Sequence, residues 1–169
     1  MSQAIIHDAE VALTFDAVRE RVLAEHAELR KLLHHLVVAA RSIEQGETAS
    51  EIGLRGAISA VVIAFDRHLW TEEKHLVPLL ADGCGPRLGE GGSGGPALAR
   101  HMVDDHRQQR EMIFALLSEA TAGEKSGALL ADDASWLAES LLKDIHEEDE
   151  ALLGLDGGGA RALPMSMPG

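Results

Sequence analysis

Between Phe65 and His75 the chain reads Phe-Asp-Arg-His-Leu-Trp-Thr-Glu-Glu-Lys-His, inside a long segment whose apolar residues recur at helical spacing. On a helix, His68 and Glu72 stand one above the other on a single face. Val61, Ala64 and Leu79 fall on that face too, so the pattern aims an imidazole and a carboxylate into the core. Burying a carboxylate without a partner costs about several kcal/mol. A metal ion or a strong ion pair would remove most of that cost, and the remainder of the chain has to supply it.

Periodicity divides the rest. Residues 1–13 show no clear face and read as a lead-in. From about Thr14 to Gln45, Val18, Val22, Leu29, Leu33 and Val37 predict a first helix, with Gly46 placed to stop it. Thr48 and Glu51 make a capping box for a second helix reaching about Leu80, which Pro78 is expected to kink or end. Residues 82–96 hold seven glycines and read as a surface connection, without the Lys-Ser/Thr of a phosphate loop. Pro96 suits the first turn of a third helix running to about Ala120, and a fourth covers roughly 128 to 153 after a break at Gly123–Gly127. Residues 154–169 read as a flexible tail. The expected fold is all-α: an up-down-up-down four-helix bundle over residues 14–153.

Composition agrees. Aromatic residues make up 3% of the chain and Tyr is absent, which suits helices packed on Leu, Val and Ala. A net charge of −13 argues against a nucleic-acid partner and is compatible with cations, although acidic surfaces also simply keep proteins soluble. No apolar run is long enough for a membrane span. One cysteine, Cys84, excludes an intramolecular disulfide, and no secretory signal opens the sequence, so a cytoplasmic location is expected.

The halves of the chain repeat one another. Glu25-His26 with Arg30 precedes His68-x-x-x-Glu72, and Asp105-His106 with Arg110 precedes His146-x-x-x-Glu150. With nine histidines in the chain one such pair is unremarkable, but two in the same setting point to an internal two-fold helical-hairpin repeat. His26 shares a stripe with Val22, Leu29 and Leu33, His106 with Ala99, Met102 and Ile113, and His146 with Leu142 and Leu153. His26, His68, Glu72, His106, His146 and Glu150 are therefore the candidate metal ligands. This nitrogen and oxygen set suits iron, manganese or zinc and lacks the thiolates of a structural zinc or iron–sulfur site. Six ligands suit two adjacent ions bridged by Glu72 and Glu150, with positions left open for oxygen, peroxide, nitric oxide or water. The ferritin-like alternative needs two Glu-x-x-His motifs, and only Glu72-x-x-His75 is present. A duplicated helical hairpin without metal, serving as an interaction module, is the bland alternative.

These residues, with Leu76-Val77-Pro78 after the first pair, resemble the haemerythrin-like, or HHE cation-binding, family over about residues 20–153. The resemblance implies a four-helix bundle around a non-haem di-iron centre with oxo or hydroxo and carboxylate bridges, for which zinc or manganese could substitute. It implies a small diatomic or peroxide ligand: a protein that binds or reacts with oxygen, peroxide or nitric oxide in sensing, storage or detoxification. A peroxide- or nitric-oxide-consuming oxidoreductase and an iron donor for iron–sulfur cluster repair stand as alternatives. Met102 and Ala151 depart from the oxygen carriers of the family, which have a histidine and an aspartate there. Losing that histidine resembles the bacterial cluster-repair proteins. Glu73 is expected to form a salt bridge rather than ligate, and Arg30 and Arg110 to pair with carboxylates. His75 lies on the ligand face, whereas His101, His34 and His35 read as surface or flank residues and Cys84 as a surface thiol in the glycine-rich stretch.

Overall fold

The computed structural model describes residues 14–46, 50–82 and 94–154, and all of its regular structure is helical, with no strand among the described residues. Helix α1 spans Phe15–Glu44, α2 Ser50–Thr71, α3 Val77–Ala81, α4 Gly94–Ala122 and α5 Gly127–Gly154. A single π-helical turn, Glu72–Leu76, joins α2 to α3 without a break. The lead-in 1–13, Thr48 of the capping box, residues 83–93 with Cys84, and the tail from 155 lie outside the described residues.

Local chemistry sets the visible ends. Thr14 caps α1, its hydroxyl accepting from the Ala17 amide at 3.3 Å. At the other end Gly46 adopts φ 81°, which suits a residue without a Cβ, and its N–H reaches the Ile43 carbonyl at 2.9 Å. Gly95 has a different reason to be glycine. A Cβ there would sit 2.7 Å from the Leu80 carbonyl oxygen, so α4 can begin against the end of α3 only without a side chain. The second rod reaches Ala81, close to the expected end at about Leu80, and its irregularity is a π turn that ends two residues before Pro78. The widened turn before it accommodates the proline, the Val77 N–H bonding back to the Glu72 carbonyl. Asp132 and Asp133 lie within regular α5.

Helix α1 packs on α2 and α5, and α4 packs on α2, α3 and α5. The apolar interior falls into two clusters. The larger runs from Leu29 to Ala40 on α1, Leu54 to Leu69 on α2, Ile113 to Ala120 on α4 and Leu130 to Ile145 on α5. The smaller holds Phe15, Val18 and Val22 of α1, Leu76 and Leu80 of the π turn and α3, Ala99 and Met102 of α4, and Leu152 of α5. Each rod passes from one cluster to the other through a polar residue: His26, Glu72, His106 and, less deeply, Glu148. The site is a polar layer between two apolar cores. No described helix is long and apolar enough to cross a membrane.

Candidate metal centre

The α1 seam Val18, Val22, His26, Leu29, Leu33 steps by three and four, so the imidazole is carried inward with its apolar neighbours. Helix α4 does the same through Ala99, Met102, His106, Gln109 and Ile113. His26, Glu72 and His106 are fully buried, and His68 is 2% exposed. Nε2 of His26 faces Nε2 of His68 at 3.1 Å. Glu72 stands between the imidazoles, 3.3 Å from His68, 3.1 Å from His106 and 3.8 Å from His26. Glu148 reaches His26 Nε2 at 3.3 Å.

What surrounds the imidazoles decides which nitrogen points inward. His26 Nδ1 lies 2.6 Å from Asp149, which Arg30 holds from the other side. His106 Nδ1 lies 3.3 Å from Glu73, which Arg110 grips at 2.5 and 3.1 Å. His68 Nδ1 lies 3.3 Å from Glu25, itself 3.0 Å from Arg21 Nε. A carboxylate accepts, so each Nδ1–H donates outward and each Nε2 keeps its lone pair for the centre. Three imidazoles, three carboxylates and three arginines thus form three orienting relays of the kind that fixes metal-binding histidines.

Electrostatics follows the geometry. Burial works against the charge of Glu72, yet His68, His106 and His26 around it hold its pKa below the usual carboxylate value. Burial likewise opposes protonation of His26, but Glu148 and Asp149 outweigh it and raise its pKa. For His106 burial is again overcome, here by Glu72. Glu148 is pushed upward, first by burial and then by the charge of Glu72, against the pull of His26. Arg110 holds Glu73 low, its hydrogen bond outweighing burial. Burial acts against the charge of Glu25, but His68 and Arg21 keep it low.

Protein partners alone leave the centre incomplete. Both carboxylate oxygens of Glu72 and Nε2 of His106 are buried with no hydrogen-bond partner. Nε2 atoms that face each other at 3.1 Å while both Nδ1 atoms donate outward need a proton or a metal cation between them. His26, His68, Glu72 and Glu148 offer one ligand atom each, all within 4.8 Å of one another. Such a group can hold a metal ion, and its mixed donors fit first-row divalent metals. The family model described as Hemerythrin HHE cation binding domain matches residues 17–155, most of the chain. The chain belongs to this family. No curated protein and no solved structure matches it.

Within this HHE domain, four of the six residues expected to ligate come together: His26, His68, Glu72 and His106. His146 and Glu150 do not. They are 68% and 71% exposed and face each other across 3.6 Å on the outer side of α5. The expectation that they point inward is corrected, and its source is the paired leucines of α5. Leu141 and Leu142, then Leu152 and Leu153, offer two phases about 100° apart. The seam is Leu141, Ile145, Leu152, while Leu153 is 55% exposed. That phase turns Glu148 toward the centre and Asp149 onto His26. A repeated pattern marked them: Leu69-x-x-Glu72-Glu73-x-x-Leu76 recurs as Ile145-x-x-Glu148-Asp149-x-x-Leu152. Glu73, Arg30 and Arg110 make the salt bridges expected of them. His75 packs edge-on against Trp70 at 5.9 Å and takes no part in the cluster. His101 is exposed, paired with Asp105 at 3.2 Å.

From outside, a cleft of about 420 Å³ between α1 and α2 reaches His68 and Glu25, lined also by Arg21, Ala24, Ala64 and Arg67. Ala24 and Ala64 leave the space that larger side chains would close.

Proposed function

We propose that this HHE domain holds two iron ions side by side, with His26 and His68 serving one, His106 the other, and Glu72 and Glu148 shared between them. The ions would supply redox and Lewis-acid chemistry toward oxygen, peroxide or nitric oxide, for sensing, storage or detoxification. The observation that carries the reading is the set of buried atoms without a hydrogen-bond partner: both Glu72 oxygens and His106 Nε2, beside the facing Nε2 atoms of His26 and His68. The chain's own residues do the positioning. The relays from Asp149, Glu25 and Glu73 keep the imidazole lone pairs aimed inward, and the two apolar clusters exclude bulk water from both sides of the polar layer. The donor set has too few groups to saturate two six-coordinate ions, so positions stay open for a small ligand.

The test is metal analysis of the protein purified in air, with visible and near-ultraviolet spectra before and after azide. About two irons per chain, a stoichiometry set by the shared carboxylates, with iron charge-transfer bands that azide perturbs, is the expected result. A chain that takes up no iron even on anaerobic reconstitution would sink the proposal and leave a metal-free helical module. Readily released iron that restores a damaged cluster enzyme would instead favour the donor reading.

A further inference from the structure

The ligand residues do not divide equally. His26, His68, Glu72 and Glu148 converge on one space, all four ligand atoms within 4.8 Å of one another. Two imidazole nitrogens and two carboxylate oxygens complete a four-coordinate site for one divalent cation. His106 stands outside that group, its Nε2 approaching Glu72 at 3.1 Å. The cause lies on α5. Along the second rod Leu69, Glu72, Glu73 and Leu76 are matched in order by Ile145, Glu148, Asp149 and Leu152 on α5, with Glu73 and Asp149 clamping His106 and His26 alike. One helical turn before Glu72 stands His68. One turn before Glu148 stands Asp144. The second rod therefore supplies an imidazole where α5 supplies a carboxylate, and Gln109 Nε2 donates to that carboxylate at 3.1 Å. The Oε1 of Gln109 is buried without a hydrogen-bond partner beside it.

Resting on the two-ion reading above, we infer that the centre holds its cations unequally. The position formed by His26, His68, Glu72 and Glu148 is tight; the position at His106 is labile, because Asp144 occupies the place of a second imidazole. The labile position has one nitrogen donor of its own and shares its carboxylates with the tight one. It therefore binds a first-row divalent cation about tenfold or more weakly, the scale on which an altered ligand environment acts. A way out lies beside it. Asp144 and Glu148 line, with Met102, Asp105 and Glu147, a pocket of about 150 Å³ at the α4–α5 side. These carboxylates would attract a cation leaving that position toward solvent.

Metal-stripped full-length protein titrated with cobalt(II), followed by calorimetry and by the visible absorption of bound cobalt, tests this. Two events of one ion each are expected, about tenfold or more apart in affinity, with the weaker ion lost to a mild chelator. His106→Ala should erase the weak event alone, and His68→Ala should erase the tight one. Asp144→His is the sharpest variant, since the side chain lies at the edge of the core and the fold should survive, as circular dichroism would show. It should strengthen the weak event about tenfold and leave the tight one unchanged. Two equal affinities, saturation at a single ion, or a weak event indifferent to Asp144→His would each overturn the inference. Failure to bind cobalt(II) or iron(II) at all would overturn the two-ion reading itself.

Discussion

The first helical pair, α1 with the α2–α3 rod, and the second, α4 with α5, carry similar strings of residues and use them differently. In the first, both histidines and Glu72 are buried. In the second, His106 is buried while His146 and Glu150 stand in solvent, and Glu148 turns inward in their place. The motif His-x-x-x-Glu is thus a buried pair within the central cluster on one helix and a surface ion pair on another. The difference teaches that a motif on a helix has meaning only with its phase, and the phase belongs to the apolar seam. Where leucines come singly, as on α1, the seam is unambiguous; where they come in adjacent pairs, as on α5, it is not.

The largest effect expected of any single change is at Glu72, which all three imidazoles approach. Glu72→Ala should bring metal content close to zero. If it leaves metal content intact, the shared-carboxylate arrangement is wrong.

Next come the relays, which should act alike in the two pairs. Asp149→Ala frees His26, and Glu73→Ala frees His106. Each should weaken metal affinity by about 10–100-fold, measured by competition with a chromophoric chelator. A loss confined to Asp149→Ala would mean that the pairs do not share one design.

The dependence on pH sharpens the same point. Glu72 is held below its ordinary 4.5, so its contribution to the metal-free fold is present above that value and fades as pH falls through its lowered pKa. His26 and His106 are held above 6.5, so theirs is complete below that pH and is lost as pH rises through their raised values. Thermal melts in a chelator should therefore show greatest stability in the mildly acid range. Cations need the imidazoles neutral, so metal affinity should rise with pH above 6.5, and binding should release protons to the buffer.

The smallest effect should come from the outward pair. His146→Ala and Glu150→Ala should each change stability by about 0.5 kcal/mol or less, without loss of metal. Loss of metal in either would restore the inward reading of that motif.

Much of this was legible from residue order. The seams of α1 and α4 place His26 and His106 inside because apolar residues step by three and four around them, and His68 with Glu72 follows from the same rule. The relays were half legible: Glu73, Arg30 and Arg110 were recognisable as salt-bridging residues, but spacing within one helix does not say which helix lies opposite. Arg30 serves a carboxylate on α5, and Glu25 serves a histidine on α2, contacts set by packing between rods. Glu148 escaped because two leucine phases were available, and only burial chooses between them. The π turn before Pro78 escaped because such a turn has no strong local signature.

That turn has a mechanical consequence. From Glu72 to Leu76 the backbone is wound more loosely than the helix on either side, so each hydrogen bond spans one residue more. The extra residue lets Leu76 and Leu80 stay inside while Glu72 and Glu73 reach the two ring nitrogens of His106. Deleting one residue here would rotate everything beyond it by about a quarter turn, separating the central carboxylates from the packing at a stroke. The turn acts as the bundle's differential gear: it lets the two ends of one rod keep different angular settings, and places Glu72 where they meet.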